Sequence, residues 1–411
     1  MSQSPVQDPV NAFCRDNHVA LAPTREGPLS GLTFAAKDVF DIAGTPTGFG
    51  QPEWLASHSA ASATAEAVTR LVEGGAALVG RTISDELCYS LTGANAHYGA
   101  PVNVWSGDRL SGGSSSGSAA ATAAGLVDFA LGTDCGGSVR VPASYCGLLG
   151  IRTTHGDVST AGLLPFARQF DCVGWFARQA DVFTAVGDTL LPAEQDTGAF
   201  KKLLVAEDAF SAVDHEIVQA LEPGIARVRA EIGSSQSTKL SQDGLERWFE
   251  TFRILQAADV WSCLGGWIEA TQPKLGPGVR ERIAQASRIG ADERRAAQRH
   301  RQKIMARVAE VIGPDDVLVL PSTPQPAPRR EGAGPDLETT YRSQAMALLC
   351  TAGLAGLPQV SVPLGMIDGL PVGLSLLARR HADKRLLKLA AALCPQVRTP
   401  DTIAPGFGQP S

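Results

Sequence analysis

Two segments rich in glycine and serine carry the residue types best suited to chemistry. Residues 112–117 read Gly-Gly-Ser-Ser-Ser-Gly, and residues 136–138 read Gly-Gly-Ser. Glycine adopts backbone conformations closed to other residues, so the N–H groups around such a serine can converge on one point and stabilise an oxyanion. The serine hydroxyl could then serve as a nucleophile. Ordinary turns favour the same residues, and each segment taken alone fits that simpler interpretation equally well.

Lys37 is a candidate base for such a serine. It is the only lysine before Lys201, and it follows an apolar run that starts at Leu32. Because side chains alternate along a strand, Lys37 and Asp38 are expected to point to opposite faces. A lysine that faces the interior is costly to keep charged, and a neutral amine can act as a general base. The competing interpretation is a lysine that reaches solvent or pairs with a carboxylate.

A histidine base and a different serine remain alternatives. Any of the seven histidines could approach a serine in space. Residues 113–117 match the Gly-x-Ser-x-Gly nucleophile elbow, which would make Ser115 the nucleophile of an α/β-hydrolase esterase. An elbow follows a buried strand, however, and residues 105–109 are polar. The sequence contains no Walker loop, no Ser-x-x-Lys motif and no His-Glu-x-x-His motif.

The composition limits the class of protein. The 411 residues are 44% hydrophobic and 19% charged, which fits a folded globular protein. A net charge of −6 without a basic stripe argues against a nucleic-acid binder. The sequence lacks the pattern of a signal peptide and any run long enough for a membrane span. The eight cysteines have no Cys-x-x-Cys pair and no zinc spacing, which predicts free thiols, no metal site and a cytoplasmic protein.

Alternating strands and helices would position these residues. Apolar runs at residues 32–36, 76–80 and 127–132 predict strands, and residues 59–74 predict a helix between the first two. An alanine-rich helix is expected to follow the first glycine-serine segment and to end at Gly125. Later strands are predicted at residues 316–320, 360–362 and 372–376. This order predicts an α/β fold.

The chain divides into three parts. Residues 1–30 form an N-terminal segment, expected to hold one short helix and a loop, and residues 31–394 form a single domain. Within that domain, residues 181–311 form a mostly helical insertion, because strand-bearing segments lie on both sides of it. Residues 395–411 are rich in proline and glycine and are expected to be a loose tail.

Residues 112–144 resemble the signature of the amidase signature family. They read GGSSSGSAAATAAGLVDFALGTDCGGSVRVPAS without a gap, and Ser138 follows Ser114 by 24 residues, the spacing between that family's two catalytic serines. The stretch FAAKDVFDIAGTPTGFG resembles the family's Lys-Asp strand. Weaker matches, such as ANAHYGAPVN and AGLAGLPQVSVPLG, extend the resemblance over roughly residues 32–393.

The resemblance implies a fold and a catalytic triad. The fold would be a mixed central β-sheet sandwiched by α-helices, and the reaction would need no cofactor. By position, Ser138 would be the nucleophile and Ser114, preceded by a cis peptide bond, would relay the proton. Lys37 would be the base that draws the proton through Ser114.

The resemblance also assigns supporting residues. The backbone N–H groups of Cys135, Gly136, Gly137 and Ser138 would hold the oxyanion, so the backbone of Cys135 rather than its sulfur would take part. Asp134 and Arg140 would order the loop. Cys88 and Tyr89 would lie near the substrate pocket.

Within the family, the strings GANAHYG, VDFALGTD and RVPASYCG resemble the short plant-type enzymes that hydrolyse indole-3-acetamide. This likeness implies a hydrolase of a small primary or aryl-acetamide-type amide and, as is common in the family, a homodimer. Two alternatives stay open: an amidotransferase subunit that passes ammonia to a partner, and a non-catalytic binding module on the same fold. The short chain disfavours the first, and the presence of all three triad residues disfavours the second.

Overall fold

Apolar runs of the chain form one ten-stranded sheet in the computed structural model, which describes residues 7–331, 337–397 and 400. In chain order the strands are β1 (Thr33–Lys37), β2 (Ala77–Thr82), β3 (Phe129–Thr133), β4 (Leu149–Arg152), β5 (Val173–Ala177), β6 (Lys202–Ala206), β7 (Ser235–Thr238), β8 (Asp316–Pro321), β9 (Gln359–Ile367) and β10 (Leu370–Leu377). Their order across the sheet is β2-β1-β3-β5-β4-β9-β10-β8-β6-β7.

The sheet is mixed. Strand β1 is parallel to β2 and β3, and β6 is parallel to β7 and β8, whereas the strands between these two groups pair antiparallel. The structure therefore has the α/β fold with a mixed central sheet that was expected.

Helices cover both faces of this sheet. In chain order the α-helices of the described residues are α1 (Pro52–Ser57), α2 (Glu66–Glu73), α3 (Ser116–Ala123), α4 (Arg140–Cys146), α5 (Ala180–Leu190), α6 (Glu207–Ser211), α7 (His215–Ile232), α8 (Leu245–Thr271), α9 (Val279–Ala286), α10 (Ala291–Val311), α11 (Arg342–Ala355) and α12 (Asp383–Leu393). In β1, Phe34 and Ala36 belong to the apolar cluster that includes α2 and α5, whereas Ala35 belongs to the cluster with α3 and α4. A strand buried on both faces reads as a continuous apolar run, which explains why β1 to β3 were predictable.

The carboxyl ends of three neighbouring parallel strands meet at one edge of the sheet. Lys37 at the end of β1 lies opposite Thr82 at the end of β2, and Ala36 lies opposite Leu131 in β3. The chain leaves these strands in loops, and loops at the carboxyl ends of parallel strands are where α/β proteins build binding sites.

The helix expected over residues 59–74 is shorter than expected, because α2 begins only at Glu66. The alanine-rich residues before it form an irregular loop, which backbone hydrogen bonds tie to the loop after β1. The N–H of Ala61 donates to Thr45 O, and the N–H of Ala65 donates to Asp41 O. Tertiary hydrogen bonds therefore override the helical preference of this segment.

Residues 181–311 hold long helices and also contribute two strands, β6 and β7, to the same sheet. Neither strand was expected from the sequence. Strand β6 has a short apolar run among polar neighbours, and β7, Ser-Gln-Ser-Thr, is a polar strand at the edge of the sheet that lacks any apolar alternation. Strand β6 pairs with β8, which follows this segment, and β7 pairs with β6, so both strands extend the sheet that the rest of the chain builds.

Described residues near both ends of the chain bond to the body of the fold. The short helix expected in the N-terminal segment is absent from residues 7–30, where Phe13 and Leu21 instead form bridges to β2. Residues 395–397 bond to residues 178–180, and residues 398–399 and 401–411 of the expected tail lie outside the described residues. Among the described helices, none combines the length and apolarity required to cross a membrane.

Candidate active site

Lys37 lies at the centre of the site, fully buried at the end of β1. Its Nζ lies 2.7 Å from Ser114 Oγ and 2.9 Å from Thr133 Oγ1. Within the described residues it forms no ion pair with a carboxylate. Lys37 is therefore neither a lysine that reaches solvent nor one that pairs with a carboxylate. A buried amine with a serine hydroxyl as its neighbour is the arrangement that proton transfer requires.

Ser114 precedes the alanine-rich helix α3, which begins at Ser116, inside the first glycine-serine segment rather than after it. The Gly113–Ser114 peptide bond is cis. A side chain at Gly113 would lie 2.1 Å from Asp85 Oδ2, so only glycine fits here. Asp85 also donates its N–H to Ser114 O, and together these contacts hold Ser114 against the loop that follows β2.

The loop between β3 and α4 is built around the buried carboxylate of Asp134. One oxygen accepts the N–H of Gly137 at 2.8 Å, and the other accepts the N–H of Val139 at 3.1 Å. The Arg140 guanidinium binds both oxygens, at 2.8 and 3.0 Å. Burial alone would raise the pKa of Asp134, but the charges of Arg140 and Arg152 and these donors hold that pKa below its usual range. Asp134 therefore stays ionised and orders the loop together with Arg140.

Three backbone N–H groups of this loop remain free to bind a ligand. Those of Cys135, Gly136 and Ser138 have no hydrogen-bond acceptor in the described part of the chain. The N–H of Gly137 differs, because it already donates to Asp134. Gly137 has φ +141°, and a side chain there would lie 2.7 Å from Leu349 Cδ1, so the loop requires glycine at this position.

Ser138 and Ser114 line the same small cavity at the end of β3. Cys88, Thr133 and Cys135 also line it. Burial raises the pKa of the Cys135 thiol well above its usual range, and Asp171 adds to this. Burial likewise raises the pKa of Cys88. Neither thiol is therefore poised to act as a thiolate.

A second, much larger cavity of about 980 Å³ adjoins this one. Tyr89, Gln256 and Arg342 line the large cavity and also the narrow space next to Ser138. Both expected pocket residues, Cys88 and Tyr89, thus lie at the cavities: Cys88 beside the two serines and Tyr89 where the cavities meet.

Comparisons with known proteins identify the family to which the chain belongs. The family model described as Amidase matches residues 12–216 and 206–387. The chain belongs to the amidase signature family. Amidase 1 of Arabidopsis thaliana is 40% identical over 93% of this chain and 97% of that protein. Translocon at the outer membrane of chloroplasts 64 of Pisum sativum is 35% identical over 89% of this chain and 66% of that protein. A crystal structure of an amidase superimposes with a TM-score of 0.80 and 27% identity, covering 89% of this chain and 85% of that one.

The alternatives to this amidase site have no support in the contacts. Ser115 Oγ is buried and donates to Thr133 O at 3.2 Å, and no described histidine forms a hydrogen bond with Ser114, Ser115 or Ser138. Within residues 7–331 and 337–397, no group of three or more His, Cys, Asp or Glu side chains is placed to hold a metal ion.

Three residues of the site were missed from the sequence. Thr133 is the last residue of β3 and lies beside Lys37. Pairing the strands predicted at residues 32–36 and 127–132 in parallel could have indicated that Thr133 lies there. Gln256, which lies on α8, donates a hydrogen bond to Cys135 Sγ at 3.1 Å, and Arg342 lies at the start of α11. Both come from helices more than 100 residues away in the chain, and no local pattern links them to the glycine-serine segments.

Proposed function

We propose that this amidase hydrolyses a small primary amide, with aryl-acetamides such as indole-3-acetamide as the first to test, to a carboxylic acid and ammonia. The observation that carries the proposal is the 2.7 Å contact between Lys37 Nζ and Ser114 Oγ, in a cavity that Ser138 also lines. The likeness to plant Amidase 1 supports the choice of amides.

In the first half-reaction, Ser138 Oγ attacks the amide carbon. Its proton passes to Ser114 Oγ, while the proton of Ser114 passes to the neutral amine of Lys37. The carbon–nitrogen bond then breaks, and the departing nitrogen takes a proton back through Ser114 and leaves as ammonia. The acyl group remains as an ester on Ser138.

In the second half-reaction, water replaces ammonia. The same relay takes a proton from the water as its oxygen attacks the ester carbon, and returns a proton to Ser138 as the acid leaves. In both steps the negative charge on the carbonyl oxygen would be held by the free N–H groups of Cys135, Gly136 and Ser138. Gly137 would contribute through its backbone conformation, because its own N–H is engaged by Asp134.

The test is ammonia release from indole-3-acetamide, phenylacetamide, short aliphatic amides and glutamine. We expect Ser138→Ala to lose at least about 10³-fold in rate and Lys37→Ala to lose about 10²-fold or more. Ser115→Ala is the matched control and should lose far less. Loss in Ser115→Ala with activity kept in Lys37→Ala would favour the nucleophile elbow instead. Release from glutamine alone would favour an amidotransferase subunit.

We further propose that the protein is cytoplasmic and forms a homodimer. All eight cysteines are free thiols, which supports a reducing compartment, and the homodimer follows from the family likeness. Light scattering on the purified protein would distinguish a mass of 43.0 kDa from twice that value.

A further inference from the structure

Arg342 is a buried arginine whose guanidinium lies over the ring of Tyr89 but has no hydrogen-bond or ion-pair partner among the described residues. It is 8% exposed and lies at the start of α11. Its Nε is fully buried and unpaired. Arg342 lines both the narrow space beside Ser138 and the 980 Å³ cavity. A guanidinium in this position has its remaining donors available to a ligand.

The other two arginines of this cavity each bind a carboxylate, although Nε and Nη2 of Arg282 have no hydrogen-bond partner among the described residues. Arg253 binds both oxygens of Glu250, at 2.6 and 2.7 Å. Arg282 binds Glu338 Oε2 at 2.7 Å, and Ser90 and Thr92 donate to the other oxygen of Glu338. Both oxygens of Glu338 thus already accept hydrogen bonds, and Arg342 forms none with either of them.

Arg342 nevertheless stays charged. Burial and the charge of Arg282 lower its pKa to about 10, which leaves it protonated at neutral pH. A buried charge without a directly bonded counter-ion is unfavourable, and the charge of the nearby Glu338 offsets this only in part. Such a residue is a candidate for binding a molecule of opposite charge. The ring of Tyr89 lies 5.8 Å from the guanidinium carbon, and a planar guanidinium is well suited to a planar anion.

We propose that the preferred substrates of this site are amides that also carry a carboxylate, which Arg342 binds while the amide group lies at Ser138. This inference rests on the proposed function and names its substrate class. A guanidinium pairs with a carboxylate through two parallel hydrogen bonds. This geometry fixes the orientation of the bound carboxylate and also selects for its negative charge. A cavity of about 980 Å³ exceeds the needs of a short aliphatic amide and has room for a longer acyl group.

The kinetic test uses matched pairs of neutral and anionic amides. Phenylacetamide is compared with 4-(carbamoylmethyl)benzoate, and hexanamide with adipamate. We expect the wild-type protein to have the higher kcat/KM for the anionic member of at least one pair. In Arg342→Gln, the ratio of anionic to neutral kcat/KM should fall by about 10- to 100-fold, the range for a hydrogen-bonded charge pair.

Two further variants separate a specific contact from a general effect. Arg342→Lys keeps the charge and should recover part of the preference, mainly through KM. Arg253→Gln removes an arginine of the same cavity whose partner is Glu250, and it should change the anionic and neutral rates by the same factor. An Arg253→Gln variant that lost the preference as fully as Arg342→Gln would contradict a specific role for Arg342.

A binding measurement makes the inference independent of turnover. Adipate, at constant ionic strength, should raise the Tm of the wild-type protein and have little effect on Arg342→Gln. Without ligand, the Tm of Arg342→Gln should equal or exceed that of the wild type, because the variant removes an unpaired buried charge. A lower Tm would indicate a structural arginine and overturn the inference.

The failure of this inference and that of the proposed function are distinguishable. Equal hydrolysis of neutral and anionic amides, unaffected by Arg342→Gln, would overturn the carboxylate inference and leave the amidase function standing. Hydrolysis of no amide would contradict the function. In that case a Tm increase with adipate that depends on Arg342 would still support an anion site. If adipate caused no such increase, the anion site and the amidase function would both be contradicted.

Discussion

At the residue scale, proton transfer depends on how the Lys37 amine is held. Lys37 Nζ has two hydroxyl neighbours, Ser114 and Thr133, and no described carboxylate as a partner. Thr133 thus holds the amine beside Ser114 through a hydrogen bond to an uncharged hydroxyl. Thr133 acts through Lys37 and is a positioning residue.

Thr133→Val should lower kcat/KM by about tenfold, because it removes one of the two hydrogen bonds that orient Lys37. Thr133→Ser keeps the hydroxyl and should retain most of the activity. Steady-state rates of the two variants, together with their Tm values, check this. A Val variant as active as the Ser variant would contradict the positioning role.

Asp85 should make the protein less stable as the pH rises. Burial raises its pKa from 3.8 to about 7, and the charge of Glu338 contributes, although Gly93 N–H and Lys37 oppose the shift. Between pH 4 and 7 the folded state keeps a proton that the unfolded chain has lost, so folding becomes less favourable with increasing pH, by on the order of 4 kcal/mol in total.

Asp85→Asn stays neutral, so its Tm relative to wild type should increase between pH 4 and pH 8. The control is Asp292→Asn, whose wild-type side chain is 97% exposed, and it should show no such trend. A Tm difference between Asp85→Asn and the wild type that stays constant over this pH range would contradict the prediction that Asp85 is buried and protonated.

The sequence revealed the residues of this site that lie within continuous segments. Lys37, Ser114 and Ser138 each follow a strand or precede a helix that could be predicted, and the 24-residue spacing of the serines supported the family likeness. Arg342 and Gln256 could not be placed in this way. They reach the site only through the packing of α8 and α11, which no local pattern specifies.

At the element scale, the loop between β3 and α4 depends on Asp134. Its carboxylate neutralises Arg140 and Arg152 and accepts backbone N–H groups at the start of α4. The lowered pKa of Asp134 means that this stabilisation is present above pH 4 and is lost as the pH falls further. The loop therefore gains its shape from one buried charge.

Asp134→Asn should lower the free energy of unfolding by about 3–5 kcal/mol at neutral pH, because it leaves two buried guanidiniums without their counter-ion. Activity should fall with it, as the N–H groups beside Ser138 lose their arrangement. Asp208→Asn is the matched control, since Asp208 also accepts two backbone N–H groups, those of Leu240 and Ser241, but binds no arginine. Similar losses in the free energy of unfolding of the two variants, measured by chemical denaturation, would contradict the role of the Asp134 charge.

Strands β1 to β3 and β8 to β10 contain the apolar runs on which the predictions were based. Burial alone did not make a strand predictable, because β4 and β5 are also buried along their whole length and were not predicted. The predicted helix over residues 59–74 was too long because hydrogen bonds to residues 41–45 hold its first half in an irregular loop. Strand β7 lies at the edge of the sheet and needs no apolar residues, so its sequence carries no strand pattern.

At the scale of the whole molecule, one sheet joins the first and last parts of the chain. Strand β4, before residues 181–311, pairs with β9 after them, and β6, from within them, pairs with β8, which supports our proposal that residues 31–394 fold as one domain. This packing buries six of the eight cysteines, and leaves Cys14 and Cys263 partly exposed.

Iodoacetamide should therefore modify at most two thiols of the native protein and all eight after unfolding. The amidase activity should survive, because Cys135 contributes its backbone N–H and its buried thiol has a raised pKa. Intact-mass measurement before and after denaturation gives the counts. Rapid inactivation that coincides with alkylation of Cys135 would contradict this assignment, as would an inactive Cys135→Ala variant that remains folded.

The central claim is that Ser138 is the nucleophile and that Lys37 activates it through Ser114. A fluorophosphonate probe tests this directly and needs no knowledge of the substrate, because a nucleophilic serine displaces its fluoride and keeps the phosphonyl group. Peptide mapping by mass spectrometry should place a single adduct on Ser138, with slower labelling in Lys37→Ala and none in Ser138→Ala. An adduct on Ser115, or labelling that persists unchanged in Ser138→Ala, would contradict the claim.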